Sequence, residues 1–220
     1  NAQIDYPSYT KLKNEYILNK GNLRVPEGSE IQWSFVTEHA ENLFFQLDEK
    51  EKAHPISPEF FEIRKTVFQS SNYGLFVGSN TLDGDSIFYQ LEVIPDAFPS
   101  IKLTEIIDSN DTYLRFYEGV IQDDYGFKSL TFNYRTLGEE SNDWLIEELA
   151  INNNNQQGFY HHLNLSSISL NTGESLEYFF EVWDNDAING SKSSRSKTMV
   201  HKSPTKEEHE QQIEENNESL

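Results

Sequence analysis

LEYFFEVWDNDAINGSKSSRSKTMVHK, from Leu176 to Lys202, carries the clearest structural pattern of the chain. Large apolar residues at alternate positions from Leu176 to Val182 can face a core, and a second row lies between them: Glu177, Phe179, Glu181 and Trp183. This period of two is typical of a half-buried β-strand. The run Asp184–Gly190 has turn chemistry, because short polar side chains bond to their own backbone and glycine accepts positive φ. The stretch therefore predicts a strand, a turn and the closing strand of a β-sandwich.

Similar strand patterns recur along the whole chain. After the middle of the chain we predict seven strands: 101–107, 114–121, 128–137, 144–151, 159–165, 175–184 and 195–202. In the first half we predict strands at 31–35, 43–47, 66–70, 73–77 and 87–93, while 57–63 is either a helical turn or a loop. Seven short strands in about 100 residues are typical of immunoglobulin-like or fibronectin-III-like sandwiches. The predicted fold class is all-β, with two such sandwiches in tandem and a short C-terminal helical segment.

Three segments follow from composition. Pro95 and Pro99 restrict the backbone around them, so we predict a short, fairly stiff linker. The predicted division is a first domain at 1–95, a second at 96–203 and an acidic tail at 204–220. Thr205 and Glu208 have the spacing of a helix capping box, so the tail is either the start of a helix or a disordered segment.

The charge balance bounds the partners. The net charge is −20, which argues against nucleic acid or an anionic membrane surface, because both require clusters of Lys and Arg. There is no cysteine and no apolar run of membrane-spanning length, so we expect the chain itself not to be membrane-inserted. Met199 is the only methionine, and we expect the chain to be a fragment of a longer protein.

The acidic residues near two strand ends are candidate calcium ligands. Asp123, Asp124, Asp184 and Asp186, together with Asn185, sit at predicted strand–loop junctions of the second domain. Calcium requires six to eight oxygen ligands, which adjacent sandwich loops can supply. Asx-turns, or an ion pair with Arg195, explain the same residues without a metal. Calcium is the only cofactor that the sequence suggests.

Three aromatic residues are candidates for a binding surface. Phe179 and Trp183 lie on the face opposite the predicted core row, and Trp144 lies on another strand. If exposed and coplanar, these rings could bind a sugar or a peptide; alternatively, the other domain or a loop covers them. His161 and His162 are neighbours in a strand, so their rings point to opposite faces and cannot chelate one metal.

Catalytic motifs are missing from the sequence. It contains no G-x-S-x-G nucleophile elbow, no glycine-rich phosphate loop and no H-E-x-x-H zinc motif. Carboxylate pairs carry little information in so acidic a chain. The sequence therefore predicts that the protein is not an enzyme.

Several motifs resemble a family of large Bacteroidetes membrane proteins that contain a domain of unknown function. They are YPSYTK at Tyr6–Lys11, VPEGSEIQWSF at Val25–Phe35, DDYGF at Asp123–Phe127, LTFNYR at Leu130–Arg135 and EYFFEVWDNDAINGSKSSRS at Glu177–Ser196. The resemblance implies membrane-spanning helices before a pair of periplasmic β-sandwich modules and a polar, helix-rich region after them. It implies no biochemical activity. We expect a non-catalytic extracytoplasmic spacer or protein-interaction module with a partner in the cell envelope; the alternative is a glycan- or peptide-binding module, possibly assisted by calcium.

Overall fold

Two compact units make up the chain. The computed structural model describes residues 1–38, 40, 42–77, 86–107, 113–138, 143–204 and 207. The units are Asn1–Asp96 and Ala97–Leu220. Nearly all regular structure in the described residues is β-strand, which confirms the predicted fold class. None of the helices in this part of the chain has the length and apolar character needed to cross a membrane. The predicted helix start in the tail lies outside the described residues, except for Glu207.

The described part of the first unit contains ten strands and one short 3-10 helix, Ser8–Thr10. The strands are β1 Ala2–Asp5, β2 Glu15–Ile17, β3 Leu23–Pro26, β4 Ser29–Val36, β5 Leu43–Gln46, β6 Lys50–Lys52, β7 His54–Ser57, β8 Phe60–Val67, β9 Ser71–Val77 and β10 Ser86–Ile94. They form two five-stranded sheets, in the orders β2-β1-β4-β8-β7 and β3-β10-β9-β5-β6. Only β3 and β10 pair in parallel among the pairs described.

Aromatic residues from both sheets fill the core of the first unit. Trp33 on β4 packs against Phe45 on β5 and Tyr73 on β9, with ring centroids 4.9 and 5.3 Å apart. Ile31 on β4 and Leu91 on β10 are also fully buried in this cluster. Two sheets packed face to face around one apolar layer make a β-sandwich.

Two of the first-half predictions need correction. The segment 57–63, predicted to be a helical turn or a loop, contains the end of β7, a turn at 58–59 and the first half of β8, where Phe61 is buried in a small cluster. The predicted strand at 66–70 is wrong beyond Val67, because β8 ends there and the chain turns before β9. Asp83-Gly84, between two apolar runs, is a hairpin signal in the sequence, and it lies outside the described residues.

The described part of the second unit contains eight strands and a short 3-10 helix, Leu165–Ser167. The strands are β11 Ser100–Ile107, β12 Leu114–Gln122, β13 Phe127–Leu137, β14 Leu145–Leu149, β15 Gln156–Asn164, β16 Ser175–Asp184, β17 Ser193–Arg195 and β18 Met199–Lys202. The predicted closing strand at 195–202 is two strands, β17 and β18, and both pair with β16.

The second unit has a three-stranded and a five-stranded sheet. The first has the order β11-β12-β15; the second has the order β14-β13-β16-β17, with β18 also paired to β16. The predicted core row of β16, from Leu176 to Val182, is buried together with Leu130 and Phe132 of β13. Tyr117 of β12 reaches this core from the other sheet, and its hydroxyl lies 2.8 Å from that of Tyr178. This sheet pairing is that of a fibronectin-III-like sandwich.

Candidate functional site

The acidic candidates lie at one end of the second unit because of strand pairing. Asp123 and Asp124 follow β12, whereas Asp184 is the last residue of β16. Phe127 at the start of β13 pairs with Asp184, so the turn that precedes β13 lies beside the end of β16. Carboxylate oxygens of Asp123 and Asp184 are within 4.8 Å of each other. Of the predicted ligands, these two are brought together.

Asp123 is a buried turn residue with one unused oxygen. Its side chain is 7% exposed. Its Oδ2 accepts the N–H groups of Tyr125 and Gly126 at 2.9 and 2.8 Å, as in an Asx-turn. Its Oδ1 is buried and has no hydrogen-bond partner in the described residues. Burial raises the pKa of the Asp123 carboxyl, although the two backbone donors oppose the shift.

Lys192 supplies a cation to the other two buried aspartates. Its Nζ lies 2.9 Å from Asp184 Oδ2 and 2.8 Å from Asp186 Oδ2. Asp184 Oδ1 also accepts the Lys192 N–H at 2.8 Å, so both ends of the lysine are fixed. Burial works to raise the pKa of the Asp186 carboxyl, but the Lys192 ammonium and the N–H groups of Ile188 and Asn189 hold it below its ordinary value.

The structure therefore gives these aspartates turn and ion-pair roles. Asp124 is exposed, and its Oδ2 accepts the Ala97 N–H at 3.3 Å. The lysine partner is Lys192, so the predicted ion pair with Arg195 is wrong; Arg195 bonds to Glu181 instead. A lysine just after the Asp184–Gly190 turn region gives no signal by itself, because lysines are usually solvated. The calcium prediction stays a prediction.

The candidate aromatic residues form an edge-to-face pair on the outer face of the five-stranded sheet. The rings of Trp144 and Phe179 are 4.8 Å apart at 70°, so they do not make a flat stacking surface. Phe179 is only 5% exposed, whereas Trp144 is 36% exposed. Trp183, which pairs with Ser129, is half-buried. Residues of the same unit cover Phe179.

Two arginines complete this aromatic pair. The Arg195 guanidinium lies 4.6 Å from the Phe179 ring, and that of Arg135 lies 4.4 Å from the Trp144 ring. Arg135 also bonds to Glu177 at 2.6 Å. A cation–π contact places the guanidinium over one face of the ring. The two arginines therefore occupy ring faces on which a sugar or peptide would have to stack.

The outer face of the three-stranded sheet is a surface that the sequence analysis missed. We call it the outer patch: Ile106, Phe116, Val120 and Tyr160. Register places Ile106 opposite Phe116, and Tyr160 lies diagonally between Phe116 and Val120. Phe116 is 39% exposed and Tyr160 is 79% exposed. Alternation along 114–122 could have revealed these outward apolar residues, because Tyr117 and Ile121 fill the inward positions.

His161 and His162 point to opposite faces, as predicted. His161 faces the core, where its ring lies 4.5 Å from that of Phe132, and His162 is exposed. Burial lowers the pKa of His161, which the charge of Glu147 partly opposes and that of His162 reinforces.

A concavity of about 340 Å³ lies in the described part of the first unit. Its lining includes Asn19, Lys20, Trp33, Tyr73 and Tyr89, and contains no Asp, Glu or His. Burial raises the pKa of Tyr73 to about 12, so its hydroxyl stays protonated at neutral pH. An acid–base pair of the kind that catalysis uses is not found among the lining residues.

Comparison with known proteins gives distant structural likenesses. No family model and no curated protein matches the chain. A candidate carbohydrate-binding protein from Bacteroides uniformis matches with a TM-score of 0.31 and 9% identity, over 77% of this chain and 91% of that one. The FN1–FN3 domains of chicken CNTN1 match with a TM-score of 0.28 and 11% identity, over 85% and 64%. A chicken T-cell receptor matches with a TM-score of 0.29 and 9% identity, over 70% and 91%.

Scores this low carry no argument about function, so the fold class rests on the sheets themselves. Each unit has two sheets around its own apolar core. In the second unit the strand order also follows the fibronectin-III arrangement. The chain is a tandem pair of immunoglobulin/fibronectin-III-like β-sandwiches.

Proposed function

We propose that this chain is a non-catalytic protein-interaction module and that its second unit binds the partner. The outer patch carries this proposal. The outer face of a sandwich sheet normally carries polar side chains. On this sheet, Phe116, Val120 and Tyr160 point outward instead. Contiguous exposed apolar side chains of this kind mark interaction surfaces more often than free surfaces.

The composition of the outer patch favours a protein partner. Aromatic residues are enriched at protein interfaces, because a ring buries a large area at low conformational cost. The Tyr160 hydroxyl donates to Glu118 Oε1 at 3.0 Å, which holds the ring in place beside the patch. A pre-positioned aromatic side chain loses little freedom on binding.

The cellular setting is part of the same proposal. The resemblance to Bacteroidetes membrane proteins supports a place in the extracytoplasmic, periplasmic part of a membrane-anchored protein, with a protein partner in the cell envelope. The first unit would then act as a spacer that carries the second. A net charge of −20 supports a partner other than nucleic acid.

Site-specific photo-crosslinking tests the proposal. A photoreactive amino acid replaces Phe116 or Tyr160 in the protein expressed in its own bacterial envelope, and Lys128, exposed on another sheet, is the control site. We expect one discrete adduct from positions 116 and 160 that the control site does not form. Absence of an adduct at both patch positions would overturn the proposal.

A calcium-assisted glycan- or peptide-binding module is the second candidate. It is favoured by the unused Oδ1 of Asp123, a buried carboxylate oxygen near Asp184. Unfolding temperatures with millimolar calcium and with a chelator test it, because an ion that binds only the folded state stabilises that state. A rise with calcium that Asp123→Asn abolishes would support this candidate. No shift would leave both aspartates as turn and ion-pair residues.

A further inference from the structure

The strand β15 forms one edge of its sheet. It is nine residues long and, in the described part of the chain, pairs only with β12. No other backbone in that part bonds to the main chain of β15 along its second side. Backbone donors and acceptors on an open strand edge are a template for another strand.

β15 also lacks the features that protect other edges in this protein. Its sequence, QQGFYHHLN, contains no Lys, Arg, Asp, Glu or Pro. The other edge strands in the described part of the chain carry at least one: Glu15 in β2, Arg24 and Pro26 in β3, Lys-Glu-Lys in β6, Pro55 in β7, Lys102 and Glu105 in β11, Glu147 and Glu148 in β14, Arg195 in β17 and Lys202 in β18. Charges, proline and short length are the usual means of blocking edge pairing. β15 is therefore long enough, and free enough of charged residues and proline, to pair with a further strand.

The facing sheet extends past β15. On β14, Leu145 and Glu147 pair with Tyr134 and Phe132 of β13, so they project toward the same side of the sheet, the side of the core. Leu145 is nevertheless 56% exposed and Glu147 is exposed. A side chain on the core-facing side of a sheet is exposed only where no strand of the opposite sheet covers it. Leu145 and Glu147 are exposed for this reason.

Ring contacts show which strands of the two sheets face each other. Tyr117 of β12 packs on Phe180 of β16, with centroids 5.3 Å apart. The His161 ring of β15 lies 4.5 Å from that of Phe132 on β13 and 5.4 Å from that of Phe180. β15 is therefore shifted from β12 toward β13, the strand that pairs with β14. A further strand beside β15 would lie on the β14 side of the opposite sheet.

The connection between the two strands supports this placement. The Gln157 side chain donates to the Ala150 carbonyl at 2.8 Å and accepts the Asn152 N–H at 2.6 Å. These bonds tie the start of β15 to the segment just after β14. In the described part of the chain the strand position beside β15 is unfilled: its floor is the core-facing side of β14, and its hydrogen-bonding wall is the edge of β15.

We propose that β15 accepts an extended segment of a partner protein as a fourth strand of the sheet β11-β12-β15. This inference rests on the proposed function and names the binding mode. The alternate side chains of the added strand that face β14 are apolar, to cover Leu145 and Leu149, and one of them is a Lys or Arg that reaches Glu147. Main-chain bonds supply affinity in such strand addition, and the alternate side chains supply specificity.

Charge selects against acidic strands and against a second copy of this chain. The floor of the position carries Glu147, the outer face beside β15 carries Glu118, and the whole chain carries a net charge of −20. Two copies that paired through β15 would bring these like charges together. A neutral or basic extended segment has no such penalty.

A peptide panel with the full chain tests the proposal. The probe is a synthetic peptide of about ten residues, with threonine at odd positions, valine at even positions and lysine at the central even one. N-methylation of the amides along one edge, but not along the other, should weaken binding at least about tenfold, because only one edge of an added strand bonds to β15. Glu147→Gln should weaken binding about two- to fivefold at low salt, whereas Glu148→Gln, on the opposite face of β14, should not.

The outcomes separate this inference from the proposed function. Equal loss for both methylated edges, or equal effects of Glu147→Gln and Glu148→Gln, would overturn strand addition at β15. If the peptide does not bind but photo-crosslinking at positions 116 and 160 still gives adducts, strand addition at β15 would be overturned. The proposed function as a protein-interaction module would then still stand. A concentration-dependent dimer that protects β15 would assign the edge to a second copy and contradict the partner proposed.

Discussion

Three ionisable side chains of the second unit, one buried and two partly buried, are expected to affect its stability. His161, Asp123 and Lys192 each lie within contact distance of the core or of another charge. Burial favours the neutral form of an ionisable group, whereas a nearby opposite charge favours the ionised form. The ionised form therefore destabilises the fold at some of these positions and stabilises it at others. Stability measurements on matched variants can therefore separate them.

The first prediction concerns acid. Burial lowers the pKa of folded His161 below its unfolded value of about 6.5, so the unfolded chain binds its proton first. His161 therefore contributes a loss of stability as the pH falls through about 6.5. In His161→Phe, the decrease in unfolding free energy between about pH 7.5 and about pH 5.5, about one unit either side of 6.5, should be smaller than in the parent chain. Chemical denaturation at both pH values measures it; an unchanged decrease, or the same effect from exposed His162→Phe, would contradict it.

The second prediction concerns Lys192. Its ammonium is the partner that the buried side chains of Asp184 and Asp186 share. Removal of one partner from a buried ion pair costs about 3–5 kcal/mol, because a charge is left without compensation. Lys192→Met should reduce the unfolding free energy of the second unit by that order, and exposed Lys128→Met should change it by less than about 0.5 kcal/mol. Similar values for the two variants in urea titrations would show that the bridge contributes little.

At the scale of elements, close packing of two strands requires one particular glycine. A Cβ at Gly119 on β12 would lie 2.3 Å from the ring of Phe159, its neighbour on β15. At Gly158, a Cβ would meet only the Gly119 carbonyl oxygen, at 3.9 Å. Gly119→Ala should destabilise the second unit by about 1–3 kcal/mol, as overpacking does, while Gly158→Ala should be close to neutral or mildly stabilising. Equal unfolding midpoints for these variants would show that Phe159 moves aside freely.

Alternating patterns predicted the elements that have one apolar face, such as β12, β13 and β16. Prediction was incomplete at 57–63: a turn lies at 58–59, after the Ser-Pro pair that suggested it, but two adjacent phenylalanines hid the alternation of β8. The sequence also placed Asp123 and Asp184 at strand ends, but the Lys192 bridge depends on how a later turn folds back. The open edge of β15 could not be predicted, because local periodicity contains no information about which strands pair.

At the scale of the whole molecule, the two units have separate cores. Trp33 is fully buried in the first core, and the residues of the second core come only from the second unit. Trp33→Ala removes a large buried side chain, at a cost of about 3–5 kcal/mol. Amide exchange should then quicken in 1–96, while protection in 97–204 stays as in the parent chain. A parallel loss of protection in both units would mean that they unfold together.

We propose that the partner protein binds at the β15 side of the second unit. Amide hydrogen exchange of the full chain, with and without the alternating threonine–valine–lysine peptide, tests it most directly. We expect slower exchange confined to β15 and β14, with no change at the other edge, β11. Slowing at β11 alone, or slowing spread over the first unit, would contradict it.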